Sequence, residues 1–491
     1  MAEKLTAGGA ALRLPEKPTA LGKITETAVY ILLAVFFVNV AAFTAANLQS
    51  GWKAVLNAGV LVLALLAASL AGRRAKLALF MILALSAALR IVYIFAVPTQ
   101  PVSDFALLYS TAQSAAAGDM SWADAAEGYF SWWQYQVPFV LYEAAILRLV
   151  PSAAVLKMMN VVWGVGSVYL IWRIASGLMP GRCALAAAFM MAVYPAQIMY
   201  ASVLTNQHIS LFFALLAIAV LTESSSPWGC ALAGAALAAS DLMRPEGMIV
   251  LAAVFCCALC AAIEQPKRKR IASLLITLAA FALAYFAVKW AAGFVLGALG
   301  LAPQGIGNSV PEWKLVVGLD RENGGTVSDK YVYILKLTDP AARRAAGREI
   351  IAQHLAQRGG WAAFFLAKLK YFWASPEDLT FTLGGVNVWE SSAIGGMSIE
   401  EAAYALSGVE YIWRIVIFAF AALGCAKLAI DAVHGEGRNT SAAPLLIAAL
   451  LCGTVLAYLL IEIQPRYRFF AMPFVFMLAS VPLAWVRRKQ K

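Results

Sequence analysis

Long apolar segments alternate with short polar segments along almost the whole chain. A run of about 20 apolar residues forms a helix long enough to cross the ~30 Å hydrocarbon core of a bilayer. The pattern therefore predicts an all-α polytopic membrane protein with about 12 transmembrane helices. The predicted spans are residues 28–46, 54–71, 77–97, 153–175, 183–203, 208–222, 227–241, 247–263, 271–292, 409–430, 442–463 and 469–486.

The composition supports the same fold class. The 491 residues are 62% hydrophobic and only 13% charged, and the mean hydropathy is +0.75. A water-soluble domain needs more polar surface than this. The net charge of +11 does not indicate a nucleic-acid partner, because Lys and Arg concentrate in short loops between apolar runs. All seven cysteines lie in or at the ends of apolar runs, so their pattern implies no disulfide framework.

The basic residues of the short loops predict the orientation of the chain. With the amino terminus in the cytoplasm, the inner loops hold most of them, including the run Lys267-Arg268-Lys269-Arg270. Both termini are therefore predicted to be cytoplasmic, and the Ala-rich composition with compact loops favours a prokaryotic plasma membrane. The predicted parts are a cytoplasmic tail (1–27), two extra N-terminal spans (28–76), a transmembrane core (77–292) with a first outer loop (98–152), a long outer loop (293–408), and C-terminal spans with a basic cytoplasmic tail (409–491).

The long outer loop divides into two parts. Residues 303–327 are Gly-rich and are predicted to be irregular. Residues 339–373 carry apolar side chains at helical spacing, which predicts amphipathic interfacial helices with a break at Gly359-Gly360.

The conspicuous polar groups fall on the outer turns. They are Asp104, the turn Thr205-Asn206-Gln207-His208, the turn Arg244-Pro245-Glu246, and residues 462–468. This one-sided placement favours a site at the outer membrane surface, because a pathway through the membrane would place ionisable residues in mid-span. Arg90 is the exception, and we expect it to pair with Asp241 or Glu143 or to face a cavity.

Four segments resemble the motifs of one enzyme family, in the same order. They are Leu89-Arg90 with Pro101-Val102-Ser103-Asp104 and Tyr109, then Met243-Arg244-Pro245, then residues 347–373 ending in Lys368-Leu369-Lys370-Tyr371-Phe372-Trp373, and then Glu462-Ile463-Gln464-Pro465-Arg466-Tyr467. Together they are similar to the GT-C glycosyltransferases, and nearest to the protein mannosyltransferases and aminoarabinose transferases. The resemblance implies an enzyme that moves a sugar, with inversion, from a polyprenyl-phosphate carrier to a lipid, polysaccharide or protein acceptor.

The residue types at these positions suit such a reaction. An acceptor hydroxyl needs a base, and the Asp104 carboxylate can take its proton as the new bond forms. The leaving phosphate needs fixed cations, since guanidinium and ammonium groups stabilise phosphate oxygens. The candidate phosphate ligands are Arg244, Lys368, Arg466 and Arg468. The candidate substrate-binding or orienting residues are Tyr109, Asn206, Gln207, His208, Glu246, Glu462 and Tyr467.

One turn departs from the family pattern. Many relatives have a second acid after the fifth span, where this chain has Asn206 and its neighbours. A divalent cation prefers two or more carboxylates, so the sequence favours a reaction without a metal cofactor and leaves a divalent cation as the alternative. Two other functions stay open: a transporter or flippase of lipid-linked sugars, and a polymerase or ligase of another membrane fold. All of these would work among membrane lipids on a lipid-linked sugar.

Overall fold

The computed structural model describes residues 18–48, 58–62, 65, 74–123, 128–224, 226–303, 305–377, 382–383, 399–434 and 443–485. Every regular element within these residues is helical. The longer helices are α1 (Ala20–Ala46), α2 (Ala75–Ala96), α3 (Asp104–Ala116), α4 (Val137–Leu149), α5 (Ala153–Ser176), α6 (Gly181–Val193), α7 (Gln207–Glu223), α8 (Pro227–Met243), α9 (Gly247–Glu264), α10 (Arg268–Ala298), α11 (Trp313–Gly318), α12 (Pro340–Ala356), α13 (Trp361–Ala374), α14 (Ile399–His434), α15 (Ala443–Leu460) and α16 (Met472–Ser480). Shorter helices include Tyr129–Trp132, Pro195–Met199, Val332–Leu335 and the 3-10 helix Pro465–Phe470.

Six helices in the described part of the chain are long and apolar enough to cross a membrane. They are α1, α2, α5, α9, α10 and residues Leu406–His434 of α14. The prediction of an all-α membrane protein is therefore confirmed, whereas its count of about 12 spans is not. Three further apolar helices, Gln207–Glu223, Pro444–Leu460 and Met472–Trp485, are shorter. Most of the predicted span 54–71 lies outside the described residues.

The predicted span 183–203 is broken. Helix α6 and the following stretch Pro195–Ser202 are bent by 57° relative to each other. Pro195 has no N–H, and its ring disfavours a helical conformation for Tyr194, whose φ and ψ are −66° and 125°. The break leaves the last carbonyl groups of α6 without partners inside the helix.

Arg90 uses the broken end of α6. Its side chain is fully buried. Its guanidinium donates to the carbonyl oxygens of Ala192 at 3.0 Å and Met191 at 3.4 Å, and to Ser86 on its own helix. The expected pairing with Asp241 or Glu143 is wrong, because Arg90 donates to carbonyl groups at the end of α6 and Asp241 is paired with Lys289.

Glycines allow two pairs of helices to pack closely. A Cβ atom at Gly234 of α8 would overlap the backbone carbonyl of Phe281 on α10. A Cβ atom at Gly424 of α14 would overlap the carbonyl of Leu478 on α16. Helix α6 likewise buries a run of alanines, Ala184 and Ala186 to Ala188. Small residues therefore bring backbones together where no large side chain separates them.

Residues 305–356 form a unit that we call the loop segment. It contains α11 and α12 and has its own hydrophobic cluster, apart from the main core. The buried members of this cluster are Val310, Trp313, Val316, Val317, Tyr331, Ile334, Leu335 and Ile350. Residues 303–327 were expected to be irregular, but they contain helix α11. This short helix forms because Trp313 and its apolar neighbours bury one of its faces. Helices α12 and α13 are separate on either side of Gly359-Gly360, where the sequence predicts a break.

We expect Gly234→Ala to destabilise the fold by about 1–3 kcal/mol, because the added methyl group has no space against α10. The thermal unfolding midpoint of the detergent-solubilised protein measures this. Gly408→Ala is the matched control, since a Cβ atom at Gly408, also within a long helix, meets nothing within 4 Å. Equal midpoints for the two variants would contradict the close packing of α8 on α10.

Candidate functional site

A cavity of about 550 Å³ lies between the bundle and the loop segment. This volume is within the range of small-molecule binding sites. Seven of the predicted site residues line the cavity: Asp104, Asn206, Arg244, Glu246, Glu462, Arg466 and Tyr467. Residues far apart in the sequence therefore meet at one place.

Asp104 is the first residue of α3 and is held there by the turn that precedes it. Thr99 donates to the carbonyl oxygen of Ser202 at 2.5 Å, and Lys157 donates to the carbonyl oxygen of Thr99 at 2.6 Å. Ser103 then adopts φ 53° and ψ −135°. It is the only non-glycine residue with a positive φ in the described part of the chain. This strained conformation sets the direction in which α3 and Asp104 start.

Three cations surround the ring of Tyr467. The Cζ atoms of Arg244 and Arg466 lie 5.1 Å and 5.6 Å from the ring centroid. The Nζ atom of Lys314 lies 5.5 Å from the same centroid. Cations at this distance are attracted to the electron-rich ring face. The 3-10 helix Pro465–Phe470 supplies both Arg466 and Tyr467, so the ring and one of its cations are fixed by the same turn.

Glu462 accepts three hydrogen bonds at the edge of this cluster. Lys314 Nζ donates to Oε2 at 2.5 Å. Gln464 Nε2 and the Tyr467 hydroxyl donate to Oε1 at 2.7 Å and 3.0 Å. Burial would raise the pKa of Glu462, but Lys314 and the other donors outweigh burial and hold that pKa below its ordinary value. Glu462 is therefore a buried carboxylate that orients Lys314.

Arg244 occupies the adjoining wall. Its Nε donates to Glu246, and its Nη1 donates to the Asn206 side-chain oxygen at 3.4 Å. Asn206 in turn donates to the carbonyl oxygen of Met243 at 2.7 Å, which joins the start of α7 to the end of α8. A second pair, Lys289 with Asp241, lines the cavity beside Arg244.

The electrostatic environment of Asp104 combines burial with nearby cations. Its side chain is exposed to the cavity, while protein surrounds its other sides. Burial raises the pKa of the Asp104 carboxyl above its ordinary value, Arg466 and Lys314 oppose this, and Glu462 adds to it. A carboxylate with a raised pKa is a stronger base than a solvated one, so Asp104 suits proton abstraction.

Two predicted phosphate ligands lie elsewhere. Lys368 is buried, and its Nζ donates to three backbone carbonyl groups. It lies on the same face of α13 as Phe364 and Phe372, because residues four apart share one side of a helix. Arg468 is also buried, and it pairs with Glu377 at 2.7 Å and donates to the Phe372 and Ser375 carbonyl oxygens. The cavity lining includes neither residue, so the structure does not place Lys368 and Arg468 with the other predicted phosphate ligands.

Three predicted orienting residues also lie outside the cavity lining. His208 is buried and packs edge-to-face on Phe469 at 4.9 Å. Gln207 donates to the carbonyl oxygen of Arg466 at 2.8 Å and so contacts the site only through that backbone. Tyr109 packs against the main core, because it is five residues from Asp104 and therefore points to another side of α3.

The structure adds lining residues that the sequence did not reveal. Lys314 comes from α11, in a stretch that was expected to be irregular. Lys289 was counted within an apolar span. Several further aromatic side chains also line the cavity: Tyr129, Tyr135, Trp313 and Tyr458. The sequence signal that could have predicted α11 is the Trp-Lys pair followed by apolar residues at 313–317. This pattern does not indicate that Lys314 contacts Glu462.

We expect Ser103→Gly to be more stable than Ser103→Ala by about 1 kcal/mol, because glycine adopts a positive φ without the cost that a Cβ atom imposes. Thermal unfolding midpoints of the two purified variants measure the difference. The order should reverse at Ser110, an exposed position inside α3, since glycine is the poorer helix former. A Ser103→Ala protein as stable as Ser103→Gly would contradict the strain at this turn.

No protein-family model matches the chain, and no curated protein matches it. Among the residues described in the structure, no group of three or more His, Cys, Asp or Glu side chains is placed to hold a metal ion. The cavity brings together residues from three of the four motifs described in the sequence.

Proposed function

We propose that the protein is an integral membrane glycosyltransferase that moves a sugar from a polyprenyl-phosphate carrier to an acceptor. One observation carries the proposal: a single cavity joins the carboxylate of Asp104 to the cations Arg244, Lys314 and Arg466. Sugar transfer from a phosphate needs both a base and fixed positive charge. The acceptor class stays open among a lipid, a polysaccharide and a protein.

The three cations around Tyr467 would bind the carrier phosphate. The two contacts of Arg244 with Glu246 and Asn206 use two of the five N–H donors of a guanidinium. Lys314 uses one of its three donors on Glu462. Carboxylate partners thus hold these cations in place while donors remain for phosphate oxygens. Positive charge fixed before the reaction stabilises developing negative charge without reorganisation.

Asp104 would act as the general base. The acceptor oxygen attacks the sugar carbon that carries the phosphate, and its proton passes to the Asp104 carboxylate. The bond from that carbon to the phosphate oxygen breaks, and its electron pair stays on the phosphate beside Arg466, Lys314 and Arg244. A single displacement of this kind inverts the configuration at the sugar carbon.

We further propose that the cavity faces the outside of a prokaryotic plasma membrane, with about 12 spans and both termini in the cytoplasm. The apolar helices support insertion in a membrane, and the basic inner loops support the orientation. A lipid-linked donor would reach the cavity from the membrane. The positive charge that stabilises its leaving phosphate would come from cationic side chains.

We expect Asp104→Asn to lower sugar transfer about 10²–10⁴-fold, because an amide cannot accept the acceptor proton as a carboxylate does. The measurement uses purified protein in membranes supplied with polyprenyl-phosphate-linked sugars, with carrier release and product formation followed together. Asp119→Asn is the matched control, since Asp119 is an exposed acid in the same loop and is not among the residues that line the cavity. Wild-type turnover by the Asp104 variant would remove Asp104 as the base.

We expect Arg466→Met to move the acidic limb of the kcat/KM profile to higher pH by about one unit. The base must be ionised, so activity falls as pH drops through the pKa of Asp104, and Arg466 holds that pKa down. Lys330→Met, which removes an exposed cation paired with Glu322, should leave the limb in place. A limb that stays fixed in Arg466→Met, or moves to lower pH, would contradict the assignment.

A further inference from the structure

Lys368 is held by three backbone carbonyl groups from two segments that come together behind the cavity. Its Nζ atom lies 2.6 Å from the carbonyl oxygen of Gly318, 2.9 Å from that of Leu459 and 2.8 Å from that of Ile461. An ammonium group has three N–H donors and no acceptor. Three carbonyl oxygens therefore use its full donor capacity, which leaves no donor for a phosphate.

Two glycines leave space for the Lys368 side chain and for the close approach of the backbone around it. A Cβ atom at Gly325 would lie 2.7 Å from Lys368 Cε and 2.9 Å from its Nζ. Gly325 has φ +74°, a conformation that favours glycine. A Cβ atom at Gly318 would overlap the backbone of Ile461. Space and hydrogen bonds at this place are thus matched to one lysine side chain.

The three carbonyl groups belong to the segments that carry one ion pair of the cavity. Gly318 is the last residue of α11, which also carries Lys314. Leu459 lies near the end of α15, and Ile461 follows that end immediately before Glu462. We propose that Lys368 is a positioning residue that fixes Lys314 against Glu462 from behind the cavity wall. The catalytic consequence of this role rests on the proposed function, whereas the position of Lys314 does not.

Removing the Lys368 ammonium should loosen the ion pair without unfolding the segments. Two backbone hydrogen bonds still join them, from Glu462 N to the Lys314 carbonyl oxygen at 2.9 Å and from Ile463 N to the Gly325 carbonyl oxygen at 3.0 Å. Methionine has nearly the length of lysine and suits a site among Phe364 and Phe372. Lys368→Met is therefore a direct test of position.

The first measurement is the rate at which an amine-acylating reagent modifies Lys314 in the purified protein, followed by peptide mass spectrometry. We expect Lys368→Met to raise this rate about five- to tenfold, the size of effect seen when contacting residues lose their coupling. Glu462→Gln, which removes the carboxylate partner itself, sets the upper reference. An unchanged rate in Lys368→Met would overturn the proposal.

Two controls separate positioning from general loosening. Lys370→Met removes an exposed lysine two residues away on α13 and should leave Lys314 labelling unchanged. Lys289, which pairs with Asp241 on another cavity wall, should keep its own labelling rate in Lys368→Met. Equal increases at Lys289 and Lys314 would show general loosening and would also overturn the proposal. If Lys368→Met aggregates, the labelling experiment uses Gly325→Ala instead. The added methyl group of this variant displaces the Lys368 ammonium without deleting it.

The second measurement is a double-mutant cycle on sugar transfer. We expect Lys368→Met to lower kcat/KM about tenfold alone and less than about twofold when Lys314 is already methionine. Losses that multiply independently would exclude action through Lys314. If the wild-type protein transfers no sugar, the proposed function fails, and the labelling experiment still decides the positioning role.

Discussion

The ion pair between Lys314 and Glu462 is the contact on which the cavity depends. It joins α11 of the loop segment to the chain just before Pro465, at an N–O distance of 2.5 Å. The same glutamate accepts the Tyr467 hydroxyl, and the Tyr467 ring lies beside three cations. A buried carboxylate left without these donors would lose the compensation for its burial. This pair therefore helps to hold Tyr467 and brings Lys314 near Asp104.

Pairing also explains how so many charges fit in one cavity. The lining holds the carboxylates of Asp104, Asp241, Glu246 and Glu462 and the cations Arg244, Lys289, Lys314 and Arg466. Six of these eight groups form three ion pairs in direct contact: Lys289 with Asp241, Arg244 with Glu246, and Lys314 with Glu462. Opposite charges in contact reduce the cost of removing each from water. The fields of these charges are thus set by the fold before any ligand enters.

The sequence was informative where chemistry was concentrated in short turns, and less so where the position of a residue depended on distant backbone. Asp104, Arg244 and Arg466 lie within three residues of a proline at the ends of apolar runs, and that local pattern was enough to predict three lining residues. Lys368 was predicted to bind phosphate because its carbonyl acceptors, which include Gly318 and Ile461, cannot be recognised in the sequence. The helical spacing of Phe364, Lys368 and Phe372 could have placed it inside.

Arg90 was misassigned for a related reason, since its partners arise from a helix break at Tyr194-Pro195. The count of about 12 spans is not confirmed, because in the described part of the chain some apolar runs form shorter helices such as α7.

The separate hydrophobic cluster of the loop segment has a consequence for how such a protein could diverge. Trp313, Val332 and Leu335 line the cavity, yet they pack with Val310 and Ile350 and not in the main core. Asp104 and Arg244, by contrast, are set by the helices of the bundle. Changes at Val332 and Leu335 can therefore alter the shape of the cavity while Asp104 and Arg244 stay where the helices of the bundle hold them. One wall of the cavity can therefore vary over generations without rebuilding the helices that hold Asp104 and Arg244.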